Sequence, residues 1–112
     1  MIEISVVIPY YNESSTISKT LNLIGKQSHK PNEVIFVNSS STDFTSEIID
    51  LWIENQLDNN STRYLNIYSN SKTPSSSKNI GIKKSNSDWI AFMDCGLFFS
   101  KNWLKDSVTL LK

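Results

Sequence analysis

The sequence predicts an α/β fold with a doubly wound, mainly parallel sheet and helices on both of its faces. Strand-like and helix-like segments alternate along the chain in the order β-α-β-α-β-α-β-α, which is typical of such sheets. The apolar residues of 34–37 form a continuous run, as expected of a strand buried on both faces. No internal repeat or domain boundary is visible, so residues 1–112 are predicted to form a single domain.

The first half of the chain predicts two strands and two helices. Residues 2–8 predict the first strand, which Pro9 ends because proline cannot donate to a sheet ladder. The serines of 14–15 are predicted to cap the first helix. The apolar stripe of that helix consists of Ile17, Leu21 and Ile24. Residues 34–37 predict the second strand, and residues 43–57 predict the second helix.

The second half continues the alternation. Residues 58–62 predict a turn, and residues 64–68 alternate as a strand near the edge of the sheet does. Residues 78–85 predict a short helix, and residues 89–93 predict a fourth, buried strand. Ser100 is predicted to cap a last helix. The apolar stripe of this helix consists of Leu104, Val108 and Leu111.

Composition excludes several classes of function. Eleven basic and eleven acidic residues give a net charge of zero, which argues against a nucleic-acid binder and a polybasic membrane binder. A single cysteine excludes an intramolecular disulfide and a cysteine-based zinc site. No transmembrane segment is predicted, because no apolar run approaches the roughly 18 residues that a span needs. With no recognisable signal peptide, a cytoplasmic protein is the expectation, with peripheral membrane association as a further option.

Polar loops follow three of the predicted strands and should meet at one edge of the sheet. These loops are residues 9–13, 38–43 and 94–97. Tyr11 could stack on a base, Asn12 and Asn38 could bond its edge, and Asp94 could hold a divalent cation that bridges phosphates. Each of these residues also has a structural interpretation as a cap or turn former, which is the commoner role for a single residue. Residues 41–43 are predicted to cap the second helix.

Other candidate chemistries find less support. Neither a P-loop nor a G-x-G-x-x-G motif occurs, and the chain has three glycines in all. His29 has no carboxylate or nucleophile as a partner, and Cys95 at a strand end is expected to be a small apolar filler. Lys78, placed at the predicted start of a helix, is either a phosphate contact or a solvated lysine, and the sequence does not choose between them.

Four segments resemble the motifs of family 2 glycosyltransferases, in the family's order and spacing. Residues 6–13 (VVIPYYNE) resemble V-V-I-P-x-Y-N, and residues 33–45 (EVIFVNSSSTDFT) resemble E-I-I-V-V-D-D-G-S-T-D-G-T. Residues 77–81 (SKNIG) resemble A-R-N-x-G, and residues 89–96 (WIAFMDCG) resemble Y-I-A-F-L-D-A-D. The resemblance covers nearly the whole chain.

The resemblance implies the Rossmann-like, donor-binding half of a GT-A fold. It implies an inverting transfer of a sugar from a nucleotide-diphosphate donor, with UDP as the favoured nucleotide, to a saccharide or lipid-linked acceptor in cell-surface polysaccharide synthesis. Mg²⁺ or Mn²⁺ is the implied cofactor, with Asp94 as its ligand. The positions that correspond to the family's nucleotide site are Pro9, Tyr11, Asn12, Asn38, Ser39, Lys78 and Asp94.

Three departures from the family pattern leave an alternative open. Asn38 and Ser39 replace the family's acidic pair, and Gly96 replaces the second acid of its D-x-D motif. The family's acceptor half and catalytic base follow the point where this sequence stops, so no residue is assigned as catalytic, and a separate C-terminal half or a homo-oligomer is an expected partner. The alternative is a non-catalytic relic or interaction module that binds no nucleotide. A flavodoxin-like or receiver-type domain ranks last, because the Asn38–Ser39 pair does not supply the acids that a receiver needs.

Overall fold

The structure is a computed structural model that describes residues 2–56, 62–71 and 73–111. Residues 58–61 of the predicted turn lie outside these ranges. Strands and helices alternate throughout the described part of the chain. The strands are β1 (Ile4–Tyr10), β2 (Glu33–Asn38), β3 (Arg63–Tyr68) and β4 (Trp89–Phe92). The helices are α1 (Ile17–Gly25), α2 (Thr45–Glu54), α3 (Pro74–Lys84) and α4 (Trp103–Leu110).

The four strands form one parallel sheet in the order β3-β2-β1-β4. From β1 the chain adds β2 and β3 on one side, and then crosses back to add β4 on the other side of β1. The direction of winding therefore reverses between β1 and β4. Ligands of open α/β sheets bind at such a reversal, outside the carboxyl ends of the strands. The predicted doubly wound, parallel architecture is confirmed.

Helices cover both faces of the sheet, and each face has its own apolar cluster. The larger cluster joins residues of β1 and β2, such as Ile8 and Phe36, to buried residues of α1, α2 and α4. The smaller cluster is built on Val7, Ile35 and Val37, and α3 supplies Ile80 to it. Alternate residues of β1 and β2 therefore point to opposite faces, and both central strands are buried throughout their apolar segments.

Helix α3 lies very close to the sheet at Gly81. A Cβ atom added there would lie 2.4 Å from Cγ1 of Val7, so only glycine permits this approach. The helix begins at Pro74, four residues before the predicted start at Lys78. Thr73 is its N-cap, and the Thr73 hydroxyl oxygen accepts a hydrogen bond from the Ser76 amide. Lys78 is thus inside α3, and not at its start.

The fourth strand differs from its prediction. The sequence predicts a buried strand, but β4 lies at an edge of the described sheet, and none of its residues is fully buried. Trp89 is 46% exposed and Phe92 is 39% exposed. A run of apolar residues predicts burial, but within the described sheet β4 has a neighbour on one side only, which is β1. The prediction that residues 64–68 form an edge-ward strand is confirmed by β3.

The predicted helix caps are displaced by one to three residues. Helix α1 begins after Thr16, and not at the serines of 14–15, and the Thr16 hydroxyl donates to the Glu13 carboxylate. Helix α2 begins at Thr45, where the Asp43 carboxylate accepts from the Thr45 amide. Helix α4 begins after Asn102, whose amide donates to the hydroxyl oxygen of Ser100. Short polar residues occur in clusters before each helix, so the sequence pattern does not single out the cap.

Candidate functional site

A cavity of about 210 Å³ opens at the carboxyl edge of the sheet, between the ends of β1 and β4. It therefore lies at the reversal of the winding, where the topology leads us to expect a ligand. The residues that line it are Pro9, Tyr10, Tyr11, Glu13, Ser39, Asp94 and Cys95. Four of the seven predicted site residues are among them. The other three, Asn12, Asn38 and Lys78, lie outside the lining.

The wall of the cavity on the β1 side is aromatic and apolar. Tyr11 is 48% exposed, so its ring is accessible to a ligand. Tyr10 is buried instead, and its hydroxyl donates to Oδ1 of Asn66 at 2.7 Å on the face covered by α2. Burial raises the pKa of Tyr10 to about 12, so this phenol stays neutral. Tyr11, and not Tyr10, offers a free aromatic face at this edge.

Two serines meet at the floor of the cavity. Ser39 is only 4% exposed, and its amide donates to the Tyr10 carbonyl at 2.8 Å. Its hydroxyl oxygen lies 2.5 Å from the hydroxyl oxygen of Ser77, which is fully buried on α3. Ser77 is absent from the residues that the sequence singles out individually. It occurs in the SKNIG segment, but nothing in that pattern shows that it meets Ser39.

Asn12 and Asn38 make contacts within the loops. Asn12 has a φ of 50°. Its side-chain Oδ1 accepts from the Thr42 backbone amide at 2.8 Å, and its backbone amide donates to the Ser41 hydroxyl oxygen. Oδ1 of Asn38 accepts from the Ser41 amide, also at 2.8 Å. These are the structural roles that the sequence leaves open for asparagine in turns. Through these hydrogen bonds, both asparagines hold the β2–α2 loop in place beside the cavity.

Asp43 and Thr45 join the loops that follow β1 and β2. The Asp43 carboxylate accepts from the Ser14 amide at 3.2 Å and from the amide and hydroxyl of Thr45. The Thr45 hydroxyl oxygen accepts in turn from the Glu13 amide at 2.9 Å. The bond from the Thr45 hydroxyl is the main reason that the pKa of Asp43 lies below its ordinary value. The Asp43 carboxylate therefore connects the loop after β1, which carries Tyr11, to the loop after β2.

The acidic side chains of the cavity are Asp94 and Glu13. Asp94 is exposed at the end of β4, while Oε1 of Glu13 accepts from the Thr16 hydroxyl at 2.7 Å. Gly96 has a φ of +83°, and its amide donates to the Thr20 hydroxyl oxygen. Within residues 2–56, 62–71 and 73–111, no group of three or more His, Cys, Asp or Glu residues is placed to hold a metal ion. Asp94 fits a Mg²⁺ site only of the kind in which one or two carboxylates act together with substrate phosphates.

Cys95 and Lys78 lie near the cavity in different settings. Burial, with the charges of Glu13 and Asp94, raises the pKa of the Cys95 thiol to about 12, so it stays protonated. The same side chain packs against the larger apolar cluster, as expected for a filler. The Lys78 ammonium lies 5.2 Å from the centre of the Phe92 ring, a cation–π distance at the end of β4.

The sheet, its reversal and its cavity define the class of protein: a Rossmann-like α/β domain with a cavity at the carboxyl edge of its sheet. The profile of glycosyl transferase family 2 matches residues 5–112, and the chain belongs to that family. It is also similar to several glycosyltransferases, which are enzymes.

Three relatives illustrate the similarity. An uncharacterized glycosyltransferase from Rickettsia bellii is 32% identical over 92% of this chain and 14% of its own length. The poly(ribitol-phosphate) beta-N-acetylglucosaminyltransferase TarS from Staphylococcus aureus is 28% identical over 99% of this chain and 19% of its own length. The structure of TarS 1–349 with UDP-GlcNAc superposes with a TM-score of 0.78 at 27% identity, over 98% of this chain and 31% of that one.

The third relative is the mannosyltransferase PcManGT from Pyrobaculum calidifontis, solved with GDP-Man and Mn²⁺. Its TM-score is 0.85 at 24% identity, over 97% of this chain and 32% of that one. These superpositions confirm the predicted GT-A type of fold. The chain spans a third or less of the length of each of these relatives. None of the described helices is long and apolar enough to cross a membrane.

Proposed function

We propose that the cavity between β1 and β4 binds the nucleoside-diphosphate part of a nucleotide sugar, and that the protein takes part in transferring that sugar to an acceptor. One observation carries the proposal. Residues from three separate motifs of the family, namely Tyr11, Ser39 and Asp94, line one cavity at the reversal of the sheet. A ligand site needs residues from separate segments to meet in this way, whereas residues that only form turns do not need to meet.

The lining residues suggest how the nucleotide is held. The exposed ring of Tyr11, beside Pro9, offers a flat apolar surface on which a base can stack. Ser39 offers a hydroxyl at the floor, where a hydrogen bond to the ligand is shielded from water. Asp94 is exposed at the end of β4, where it can accept from ribose hydroxyls or act on a cation between phosphates.

A divalent cation, Mg²⁺ or Mn²⁺, is part of the proposal. When bound, it would neutralise the charge that develops on the diphosphate leaving group. Asp94 would hold it together with phosphate oxygens of the donor, because the other family acid is replaced by Gly96. Lys78 would add positive charge near the same group. Of the relatives, PcManGT was solved with Mn²⁺.

The finer points of the reaction rest on the family alone. UDP is the favoured nucleotide of the proposal, and the relatives were solved with UDP-GlcNAc and with GDP-Man. The acceptor is proposed to be a saccharide or a lipid-linked saccharide, the outcome to be inverting, and the location to be cytoplasmic. No described residue is assigned as the catalytic base. The proposal therefore gives this chain the donor-binding role.

Thermal unfolding with and without ligand tests the proposal. A ligand at 100 times its Kd stabilises the native state by about 2.7 kcal/mol, which shifts the midpoint of a domain of this size by several degrees. We expect such a shift with UDP, enhanced by Mn²⁺, and a smaller one with GDP. Tyr11→Ala should weaken binding by about tenfold through lost stacking, while Phe44→Ala, another exposed aromatic, should leave it unchanged.

The alternative function is an interaction module that no longer binds nucleotide. The replacement of three family acids and the exposed apolar side chains of β4 favour it. A chain that unfolds cooperatively, yet shows no shift with UDP, GDP or either nucleotide plus Mn²⁺, would support this alternative and contradict the donor-binding proposal.

A further inference from the structure

Helix α1 carries a polar residue within its apolar stripe. Thr20 is 1% exposed and shares the buried face of the helix with Ile17, Leu21 and Ile24. A buried hydroxyl destabilises the fold unless it has a hydrogen-bond partner, so an apolar side chain is the usual choice at such a position. The Thr20 hydroxyl oxygen accepts from the backbone amide of Gly96 at 2.9 Å, across 76 residues of sequence. This hydrogen bond explains why a hydroxyl is buried here.

The segment on the other side of this hydrogen bond is the turn after β4, residues 94–97. The pairing of β4 with β1 ends just before it, where the Met93 amide donates to the Val7 carbonyl at 3.1 Å. Gly96 has a φ of +83°, a conformation that residues with a Cβ atom rarely adopt. A Cβ added to Gly96 would meet the Thr16 side chain at 3.5 Å. The backbone of the turn therefore lies directly against the start of α1.

The turn carries Asp94, two residues before Gly96. In the part of the chain that the structure describes, the Asp94 carboxylate has no hydrogen bond or ion pair of its own, and it is exposed at the cavity. Cys95, between the two, packs its side chain against the larger apolar cluster. The place of the carboxylate thus depends on the backbone of the turn, which is held by Cys95 and by the hydrogen bond to Thr20.

A site with one carboxylate depends strongly on where that carboxylate lies. Gly96 stands where the family has a second acid, and Mg²⁺ demands near-ideal geometry from its ligands. We propose that Thr20 is a positioning residue: through the Gly96 amide, its hydroxyl holds the turn so that Asp94 faces the cation of a bound donor. This inference rests on the proposed function. In this interpretation Gly96 contributes its backbone to the site in place of a carboxylate.

Calorimetry of UDP binding with and without Mn²⁺ tests the proposal. The readout is the factor by which Mn²⁺ raises the affinity for UDP, and we expect about tenfold for the wild-type chain. Thr20→Val keeps the shape of the side chain and removes the hydrogen-bond acceptor. We expect this variant to lower the factor to about threefold or less, because the turn is released, and to leave the affinity for UDP alone within about twofold of the wild type.

Two further variants separate positioning from stability. Thr20→Ser restores the hydroxyl and should recover the wild-type factor. Glu33→Gln weakens the contacts of a buried carboxylate with the Ser5 hydroxyl and the Asn86 amide, at the other end of the strands. It should therefore lower stability without a change in the turn, and it should keep the full Mn²⁺ factor.

Hydrogen exchange of the Gly96 amide verifies the contact itself. The amide should exchange slowly in the wild-type chain and in Thr20→Ser, and faster in Thr20→Val, because its acceptor is lost. The Met93 amide is the internal reference, since it donates to the β1 backbone and not to α1. Its exchange should be the same in all three chains.

The outcomes separate the positioning role from the nucleotide site. A full Mn²⁺ factor in Thr20→Val, with faster exchange at Gly96, would overturn the role of Thr20 and leave the site intact. A factor that Thr20→Ser fails to recover, or no Mn²⁺ effect in the wild-type chain, would overturn it as well. If UDP binds neither with nor without Mn²⁺ to a chain that unfolds cooperatively, the proposed function fails too.

Gly96→Ala keeps the proposal testable if Thr20→Val does not unfold cooperatively. The φ of +83° is strained for alanine, so this variant disturbs the same turn without a change in α1. We expect it to lower the Mn²⁺ factor as Thr20→Val does. A full factor in Gly96→Ala would overturn the proposal.

Discussion

Asp94 is the one acid among the seven residues predicted for the nucleotide site. It is exposed at the end of β4 and lines the cavity together with Glu13. The carboxylate of Glu13 already accepts from the Thr16 hydroxyl, and that of Asp94 is open to solvent. In the proposed site, Asp94 is therefore the carboxylate that is free to act on a cation together with the donor phosphates.

Asp94→Asn tests this role without a change in size. We expect the affinity for UDP in the presence of Mn²⁺ to fall by about tenfold, and the gain in affinity from Mn²⁺ to be lost, because an amide cannot balance the charge of a cation. Calorimetry with and without Mn²⁺ measures both. Asp88→Asn, an exposed acid before β4, is the control. An unchanged dependence on Mn²⁺ would remove Asp94 from the site.

Glu33 accepts three hydrogen bonds at the start of β2, at the end of the sheet opposite the cavity. Its carboxylate accepts from the Ser5 hydroxyl, the Asn86 amide and the Arg63 guanidinium. Burial raises the pKa of Glu33, but these hydrogen bonds outweigh burial and hold it below its ordinary value of 4.5. The carboxylate thus joins β1, β2, β3 and the segment before β4.

The lowered pKa makes stability depend on pH in a defined direction. The contribution of Glu33 is fully present above its ordinary pKa of 4.5 and is lost as the pH falls through the lowered pKa of the folded chain. Glu33→Gln should lower the free energy of unfolding by about 1–3 kcal/mol at pH 7 and flatten its fall in acid. Denaturant titrations at several pH values measure this. The exposed Glu3→Gln is the control, and an unaltered pH profile in Glu33→Gln would contradict the assignment.

Single residues of the site were predictable to different degrees. Tyr11, Ser39 and Asp94 follow strands, and parallel strands end at one edge, so their convergence follows from the topology alone. Pro9 was expected to end β1, but the strand continues through it to Tyr10, because Pro9 still pairs in register with Val37. The hydrogen bonds that Asn12 and Asn38 make within the loops do not follow from the topology, because they depend on how two loops of irregular conformation meet. Ser77 was missed as well, since its contact with Ser39 depends on the depth at which α3 packs.

At the scale of elements, α3 determines the geometry of the site. It carries Ser77 behind the cavity and Lys78 beside Phe92, and it approaches the sheet through Gly81. The sequence predicts this helix only weakly and four residues too late, because it has no clear apolar stripe. The apolar surface through which α3 contacts the sheet is small, and glycine stands in place of a larger residue where the helix comes closest to the sheet.

Gly81→Ala should destabilise the fold. The added Cβ would lie 2.4 Å from Val7 Cγ1, and overpacking of a buried site costs about 1–3 kcal/mol, against a gain in helix propensity of about 1 kcal/mol. We therefore expect a net loss of about 1 kcal/mol or more. Gly25→Ala is the control, because its Cβ would meet only Trp52 at 3.6 Å. Equal unfolding free energies for the two variants would contradict the close packing of α3.

At the scale of the whole molecule, the order β3-β2-β1-β4 explains why the site is where it is. The alternation of strands and helices predicts the parallel sheet, but it does not give the order of the strands, which depends on the side of β1 that β4 joins. The same uncertainty explains the error at β4. A four-residue apolar strand is equally compatible with the centre of a sheet and with its edge.

The relatives extend well beyond the length of this chain, and the chain matches one continuous part of them. That part contains the cavity, the four family motifs and the reversal of the sheet. The donor-binding role that we propose is consistent with this distribution, because residues of three of these motifs line the cavity and no described residue is assigned as the base for an acceptor.

The most direct test of the donor-binding claim is a map of backbone amide chemical shifts, recorded by NMR as UDP and Mn²⁺ are added. We predict that the largest changes fall at Tyr11, Ser39 and Cys95, around the end of β1 and β4, with smaller changes at the start of α3. The chemical shifts of the backbone amides at the other end of the strands, near Glu33 and Arg63, should not change. Changes centred on that other end, or no saturable change anywhere, would contradict the claim that this cavity binds the nucleotide.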